Sequence, residues 1–300
     1  MNNFKSGFVA IIGRPNVGKS TFINYVLGQK ISIISPKPQT TRNSIRGIYT
    51  KEDFQVIFID TPGIHKPKHE LGNFMNKQAL NTLDEVDLIL LVVDATQDFG
   101  TGDQYLISYL EKVDTPCFLI FNKIDLIKDK SKLIKNVEAF NKEYTFAETF
   151  YISALEGTNV EKLLSTIPSY LQPGPMYYPE DQVTDNPESF IIAEIIREKI
   201  LLLTHEEVPH SISVIVEQME HDEKGLLNIH VTVYVERQSQ KKIIIGSNGQ
   251  MMKKIGSLAR KEIVMLLGEK VYLEIWVKVE PDWRNKKVQL RRMGYDLENN

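Results

Sequence analysis

The chain has one cysteine in 300 residues, Cys117, which excludes an internal disulfide. Its setting in an apolar, strand-like run points to a reducing, cytoplasmic location. No apolar run approaches the ~18 residues that a membrane-crossing helix needs. Phe8 to Ile12, the first apolar stretch, is too short for a signal peptide and leads straight into a glycine loop. Internal repeats and low-complexity tracts are missing too. Neither sign of charge dominates: 36 Lys and Arg stand against 39 Asp and Glu, and a net charge of −3 says little about partners. Hydrophobic content of 42% and charged content of 25% are those of a globular protein, long enough for about two domains with a core each.

The most informative string is Gly13-Arg14-Pro15-Asn16-Val17-Gly18-Lys19-Ser20, a G-x-x-x-x-G-K-[ST] loop. It follows the strand-like run Phe8–Ile12 and precedes apolar residues at helical spacing from Thr21 to Leu27, the context in which such a loop cradles phosphates. Backbone N–H groups face the turn, Lys19 reaches the outer phosphates and Ser20 offers its hydroxyl to Mg²⁺. Asn122-Lys123-Ile124-Asp125 follows another apolar run, 116–121. A carboxylate at Asp125 accepts two hydrogen bonds from guanine, and adenine lacks that donor pair. Asn122 braces the loop and Lys123 lies along the base. Ser153-Ala154-Leu155 comes about thirty residues later, after the strand 149–152, and a backbone N–H near Ala154 is placed for the guanine carbonyl. Asp60-Thr61-Pro62-Gly63 ends the strand 54–59: Asp60 is placed to hold Mg²⁺, and Gly63 brings a backbone N–H to the γ-phosphate. In the polar stretch 38–42, Thr41 or else Thr40 completes the Mg²⁺ shell. These residues imply GTP and GDP as ligands, with catalysis by positioning and electrostatics from Lys19, Thr41, Asp60 and Gly63. Ile64 stands where a water-orienting glutamine is often found, and His65 is a weak substitute.

A boundary falls near residue 172. The reading is a first domain over 1–172 closed by a helix over 159–171, then a linker over 173–188 rich in helix breakers. Asn186 as N-cap and Pro187 as first helical residue restart the chain as a packed helix to Leu203. The second domain, 189–300, shows period-two alternation over 210–218 and 226–236, with a turn at 221–225. A helix, the G-x-x-G string Gly246-Ser247-Asn248-Gly249, a second helix and a strand over 271–279 follow. From Lys241 to Arg292 there are 13 Lys or Arg against 5 Asp or Glu, a local excess of eight positive charges. Lys241, Lys242, Lys253, Lys254 and the cluster Arg284, Lys286, Lys287, Arg291 and Arg292 are the phosphate candidates. Ile244, Ile245 and Met252 are candidates for a base groove. Trp276 and Trp283 are candidates for stacking, with Trp276 assigned rather to the core.

The loop motifs resemble those of translation-factor-class GTPases in the TrmE–Era–EngA family, most closely the Era branch. Gln39-Thr40-Thr41-Arg42 and the run from Thr61 to Gly72 match its two switches. The second half resembles a type II KH domain, in which the G-x-x-G turn clamps about four single-stranded nucleotides. The fold expected is therefore α/β, a P-loop GTPase with a doubly wound, mostly parallel sheet, followed by an α+β type II KH domain with a basic C-terminal tail. The resemblance further implies that Asn16 helps hold K⁺ against the phosphates. Partners implied are the single-stranded 3′ end of small-subunit rRNA and the 30S subunit, not DNA, with the chain monomeric, cytoplasmic and in peripheral contact with the inner membrane face. Two rival readings are a metabolic phosphotransferase, in which Asn122 and Asp125 have no role, and a regulatory GTPase whose second domain docks a protein or a membrane surface.

Overall fold

The computed structural model describes residues 4–37, 40–64, 67, 69–205 and 208–295; Gln39 and His65, singled out above, lie outside the described residues. The chain divides into two compact units, one of residues 1–32, 38–68 and 72–185 and the other of 33–37, 69–71 and 186–300.

In the first unit the apolar runs become strands β1 (Lys5–Ile12), β2 (Ile45–Thr50), β3 (Phe54–Asp60), β4 (Leu88–Asp94), β5 (Cys117–Asn122) and β6 (Glu148–Tyr151). They form one sheet in the order β2-β3-β1-β4-β5-β6. Only the edge strand β2 runs antiparallel to its neighbour. β4 and β5 are buried along their whole length, the mark of a sheet covered on both faces. The connecting helices are α1 (Lys19–Leu27), α2 (Glu70–Asn81), α3 (Thr101–Leu110), α4 (Lys130–Glu143) and α5 (Val160–Thr166). One core joins Ala10, Ile12, Leu91 and Phe121 of the strands to Leu106 and Phe140 of the helices. Cys117 lies in it, and burial pushes its thiol pKa well above the ordinary range. From β1 the chain visits β3 on one side and β4 on the other, so a crevice opens at the carboxyl end of β1.

Two expectations change here. The helix over 159–171 divides into α5 and a 3₁₀ turn at Ile167–Tyr170, because Pro168 has no N–H with which to continue it. The stretch 173–188 is not all linker, since residues up to 185 group with the first unit. Gln55, fully buried, organises this packing. Its Nε2 donates to Thr50 Oγ1 and the Tyr178 carbonyl, both at 2.9 Å, and its Oε1 accepts from the N–H groups of Tyr177 (2.8 Å) and Tyr178 (3.0 Å).

The second unit runs α6 (Glu188–Leu203), β7 (Ser213–His221), β8 (Leu227–Val235), α7 (Gln238–Ile245), α8 (Gln250–Leu267), β9 (Val271–Val279) and α9 (Lys287–Arg292). β8 pairs antiparallel with β7 and parallel with β9. This order of elements is that of a type II KH domain. Pro187, in an extended conformation, is the N-cap of α6, so Asn186 lies one residue before the position expected. Ile229, Val231, Val233 and Val235 alternate into a core shared with Ile192, Ile196, Ile255 and Ile263. Ile33 joins the same core, Ile34 N–H donates to Glu198 Oε1 at 3.1 Å, and Lys37 Nζ donates to the carbonyls of Leu201 and Thr204. The tryptophans exchange their expected roles. Trp283 is fully buried with Nε1 donating to Ser211 O at 2.9 Å, whereas Trp276 is 59% exposed. Trp276 is an even position of β9, and the odd positions point to the helices.

Replacing Gln55 by Leu leaves two backbone N–H groups without their acceptor. The expected loss of stability is about 2–4 kcal/mol in denaturant unfolding, with faster chymotrypsin cleavage at Tyr177 or Tyr178. Unchanged cleavage would mean that 173–185 is held by other contacts.

Candidate functional site

The crevice at β1 collects side chains from four loops. Gly18 adopts φ 102°, and a Cβ there would lie 2.3 Å from Asn122 Nδ2, so this position takes glycine on both conformational and steric grounds. Gly13 is as confined, with a Cβ falling 2.3 Å from Val92 O. Asn122, at the end of β5, is 2% exposed: its Nδ2 donates to Val17 O and its Oδ1 accepts from Ala154 N–H, both at 2.9 Å. The glycine loop and the 153–155 loop are thus tied to one carboxamide. The Ala154 N–H, expected to face a guanine carbonyl, is aimed at Asn122 instead. Ser153 is fully buried, while Leu155 is 76% exposed at the mouth of the loop. Asp125 is exposed on the turn Ile124–Leu126. Lys123 has a left-handed backbone, and its Nζ donates at 2.7 Å to Asn16 O and to Asp94 Oδ2.

Lys19 is buried among the loop carbonyls, its Nζ 3.2 Å from Gly13 O and 3.3 Å from Arg14 O. Burial pushes its pKa down to about 8, against the opposing charge of Asp60. Asp60 ends β3 with no exposed surface. Its Oδ2 accepts from Ser20 Oγ and Ser32 Oγ, each at 2.9 Å, and from Thr41 Oγ1 at 3.4 Å. Ser20 Oγ and Thr41 Oγ1 are 3.1 Å apart. Of the two threonines, then, Thr41 brings its hydroxyl to this cluster. Burial raises the Asp60 pKa despite Lys19 and the three hydroxyls, and among the described residues its buried Oδ1 has no hydrogen bond. A carboxylate oxygen left bare beside two hydroxyls is a set of hard oxygen donors that fits Mg²⁺. Gly63 lies against Pro15, where a Cβ would come within 3.0 Å of the Pro15 nitrogen. Ile64 is 2% exposed in the core and takes no part.

Some expected residues do other work. The Thr61 hydroxyl donates to Ile11 O at 2.8 Å and ties β3 to β1, and Pro62 is buried behind it. The Arg14 side chain turns to Asp103 on α3, 3.2 Å away. Asn16 is exposed with φ 65°, and Thr21 and Thr40 are half-buried. The sequence reading missed Ser32 and Asp94. Ser32 carries no motif. Asp94 had a signal, a carboxylate ending the apolar run 88–93, and it pairs in register with Asn122 on the next strand. Burial pushes the Asp94 carboxyl up, but hydrogen bonds from Lys123 and Thr96 outweigh it and hold it below the usual range.

In the second unit, Gly246–Gly249 ends α7 and starts α8, beside a groove of about 880 Å³ between α8 and β9. Ile245, Gly249, Met252 and Lys253 line it, as do Arg260, Lys261 and Lys270, which the sequence reading left out. For Arg260 and Lys261 the available signal was their place on α8 after Gly249, while Lys270 lies beyond the end of that helix. Ile244, expected in the groove, is fully buried in the core. Arg284 is held by Glu236 at 2.6 Å and by His210 O. Arg292 Nη2 donates to Tyr234 Oη at 3.2 Å, and Lys286 Nζ to Pro281 O at 2.7 Å. The C-terminal cluster is therefore not part of the groove lining, while Lys242, Lys287 and Arg291 are exposed and Lys241 is half-buried.

Asn122→Ala unties both loops, and the expected result is a loss of guanine-nucleotide affinity of about 2–4 kcal/mol; an unchanged GDP affinity would remove the bridge from the binding account. The Lys19 pKa predicts a pH dependence. Bound phosphates favour the charged amine and raise its pKa, so the complex holds more protons than the free chain above pH ~8. Affinity is then full below pH 8 and declines as pH rises through 9. Calorimetry at pH 8.5–9 in buffers of different ionisation enthalpy is expected to register proton uptake on binding.

Comparison with known proteins agrees with this geometry. A family model described as a 50S ribosome-binding GTPase matches residues 8–123, and a KH-domain model matches 207–284. The chain is similar to Era in a crystal structure with MgGDPNP and nucleotides 1506–1542 of 16S ribosomal RNA, at 42% identity, over 98% of this chain and 100% of that one, with TM-score 0.94. The identity, coverage and TM-score are the same for an Aquifex aeolicus Era variant bound to GDP·AlF₄⁻. This chain, a P-loop GTPase followed by a KH domain, belongs to the Era family.

Proposed function

We propose that this chain is a GTP-hydrolysing switch that holds the single-stranded 3′ end of 16S rRNA in its KH groove during assembly of the small ribosomal subunit. The observation that carries the switch is Thr41, a loop residue whose hydroxyl closes on Ser20 and Asp60. Ser20, Thr41 and Asp60 would hold Mg²⁺, which supplies charge neutralisation at the phosphates. Lys19 contributes a positive charge that burial disfavours and bound phosphates would favour, Gly63 a backbone N–H, and Asp125 the choice of guanine. None of these is a strong base, and Ile64 is in the core, so intrinsic hydrolysis is slow. Asn16 is our candidate for a K⁺ ligand, and K⁺ would then take the part of an arginine finger.

The RNA reading is supported by the cationic groove and by the complex of a 42%-identical relative with 16S rRNA nucleotides. Ile245 and Met252 offer apolar surface to bases, Lys253 and Arg260 charge to phosphates, and Gly249 open backbone, with nothing within 4 Å of a Cβ built there. Coupling between the two ligands has a route along the chain. Residues 33–37 group with the second unit, and Thr41 follows four residues later in the first. If GTP changes RNA affinity by some factor, RNA changes GTP affinity by the same factor. The cytoplasm is the compartment this function requires. A peripheral membrane contact through the exposed C-terminal cations belongs to the same reading, and the chain acts as a monomer.

Two experiments test the proposal. A short RNA matching the 16S 3′ end is expected to bind with GDPNP and to weaken with rising salt. Lys253→Ala would lower the slope of log K against log salt by about 0.7, and Gly249→Asp would abolish binding, whereas Gly249→Asn, which meets the same backbone strain at φ 75° without adding charge, would keep most of it. RNA affinity indifferent to Lys253→Ala and Gly249→Asp would return the KH domain to a protein-docking role. Hydrolysis is expected to run about tenfold faster in K⁺ than in Na⁺ at matched ionic strength, ~1.4 kcal/mol off the barrier, with the difference lost in Asn16→Ala. Equal rates in the two salts would dismiss the K⁺ site.

A further inference from the structure

The face of the three-stranded sheet turned away from α6 and α8 carries residues that neither site uses. Odd positions of β8 and β9 enter the core, so the even positions, Tyr272, Glu274, Trp276 and Lys278, point the other way. Trp276 is 59% exposed and Tyr272 51%, and among the described residues neither aromatic side chain has a hydrogen bond or a ring contact. Thr232 lies in register with Trp276, His230 with Glu274 and Asn228 with Tyr272. Across β8, Glu220 is opposite Asn228 and Gln218 opposite His230. Glu274 Oε2 meets His230 Nδ1 at 2.7 Å. Isolated exposed apolar residues need no explanation. An indole and a phenol four residues apart on one strand, with Glu274 between them and Glu220 across β8 from Tyr272, form a patch with a chemical preference.

That preference is opposite to the groove's. The groove between α8 and β9 presents Lys253, Arg260, Lys261 and Lys270. The sheet face presents Glu220 and Glu274 around the aromatic pair. Its cations, Lys278 and Arg292, gather at the other end, with Lys278 in register beside Tyr234 and Arg292 over the Tyr234 ring. An RNA backbone gains nothing from the carboxylates. A guanidinium gains twice, by stacking on the electron-rich face of an indole or phenol and by pairing with a carboxylate. Tryptophan and tyrosine are also the side chains that most often dominate protein interfaces.

We propose that this sheet face, centred on Trp276 and Tyr272 and bordered by Glu220 and Glu274, is a docking surface for an arginine-rich segment of a protein partner. It leaves the groove on the other side of the sheet free, so one KH domain holds a nucleic acid and a cationic protein segment on separate surfaces.

The two tryptophans make the test direct, because Trp283 is fully buried and Trp276 is the indole that solvent reaches. The full chain is titrated with a short arginine-rich peptide, with its glutamate-for-arginine counterpart and with single-stranded RNA, following tryptophan emission and acrylamide quenching. The arginine peptide is expected to shift the emission and protect Trp276, and its glutamate counterpart to do neither. Peptide affinity should fall about fivefold in Trp276→Ala and further in Glu220→Lys with Glu274→Lys, while RNA affinity stays within about twofold of the parent chain. Trp276 and Glu220 are exposed, and substitution there leaves the fold intact; Glu274, half-buried against His230, is also changed to Gln, which keeps its size and removes its charge. Absence of peptide binding, peptide affinity unchanged in Trp276→Ala, or protection of Trp276 by RNA instead of the peptide would each overturn the proposal.

Discussion

The carboxamide of Asn122 is the constraint on which the nucleotide site depends. It sits at the end of a fully buried strand, donates to the glycine loop at Val17 and accepts from the next loop at Ala154. A buried amide in that position has to find partners for both ends, and here the partners are two loops that the sheet alone would not connect. The confinement of Gly18 follows from it, since the space a side chain would need is filled by the amide itself. Lys123 extends the tie from the same turn to Asn16 and Asp94. Loops of this kind are normally the softest parts of an α/β protein. In this one they share their hydrogen bonds, which tie the two loops to each other.

The second cluster, at Asp60, is the reverse case. Its carboxylate is dry, faced by Ser20, Ser32 and Thr41, and keeps one oxygen without a donor. Lys19 is held away from water, and burial lowers its pKa. A buried carboxylate and a buried amine are each costly, and each is offset by opposite charge placed beside it. The site is a pair of electrostatic deficits of opposite sign placed side by side.

Most of this was legible in the sequence for a physical reason. Glycine loops, the N-K-x-D turn and the D-x-x-G turn need particular residues at fixed spacing, and the strands before them are apolar on both faces. The KH order was legible from period-two alternation followed by G-x-x-G. Failures came where a residue's role depends on who its neighbours are. Trp276 and Trp283 could not be assigned without knowing which face of β9 meets the helices. Arg284 counted as free charge until Glu236 was seen beside it. Thr61 carries a hydroxyl suited to a ligand, but the hydroxyl ties two strands together. Ser32 offered no local pattern at all, and its contact with Asp60 spans 28 residues. Gln55 turned a proline-rich stretch that reads as a linker into part of the first unit.

Cys117 has a practical consequence. The only thiol in the chain is 2% exposed in the middle of the first core, and its pKa is raised well beyond the range where a thiolate forms at neutral pH. Alkylating dyes react with thiolates that solvent can reach, so the native chain is chemically silent toward them. A cysteine introduced on either unit becomes the single labelling handle without any removal of the native one. Dye pairs for distance measurements between the nucleotide-binding and RNA-binding halves can be installed on the unmodified background.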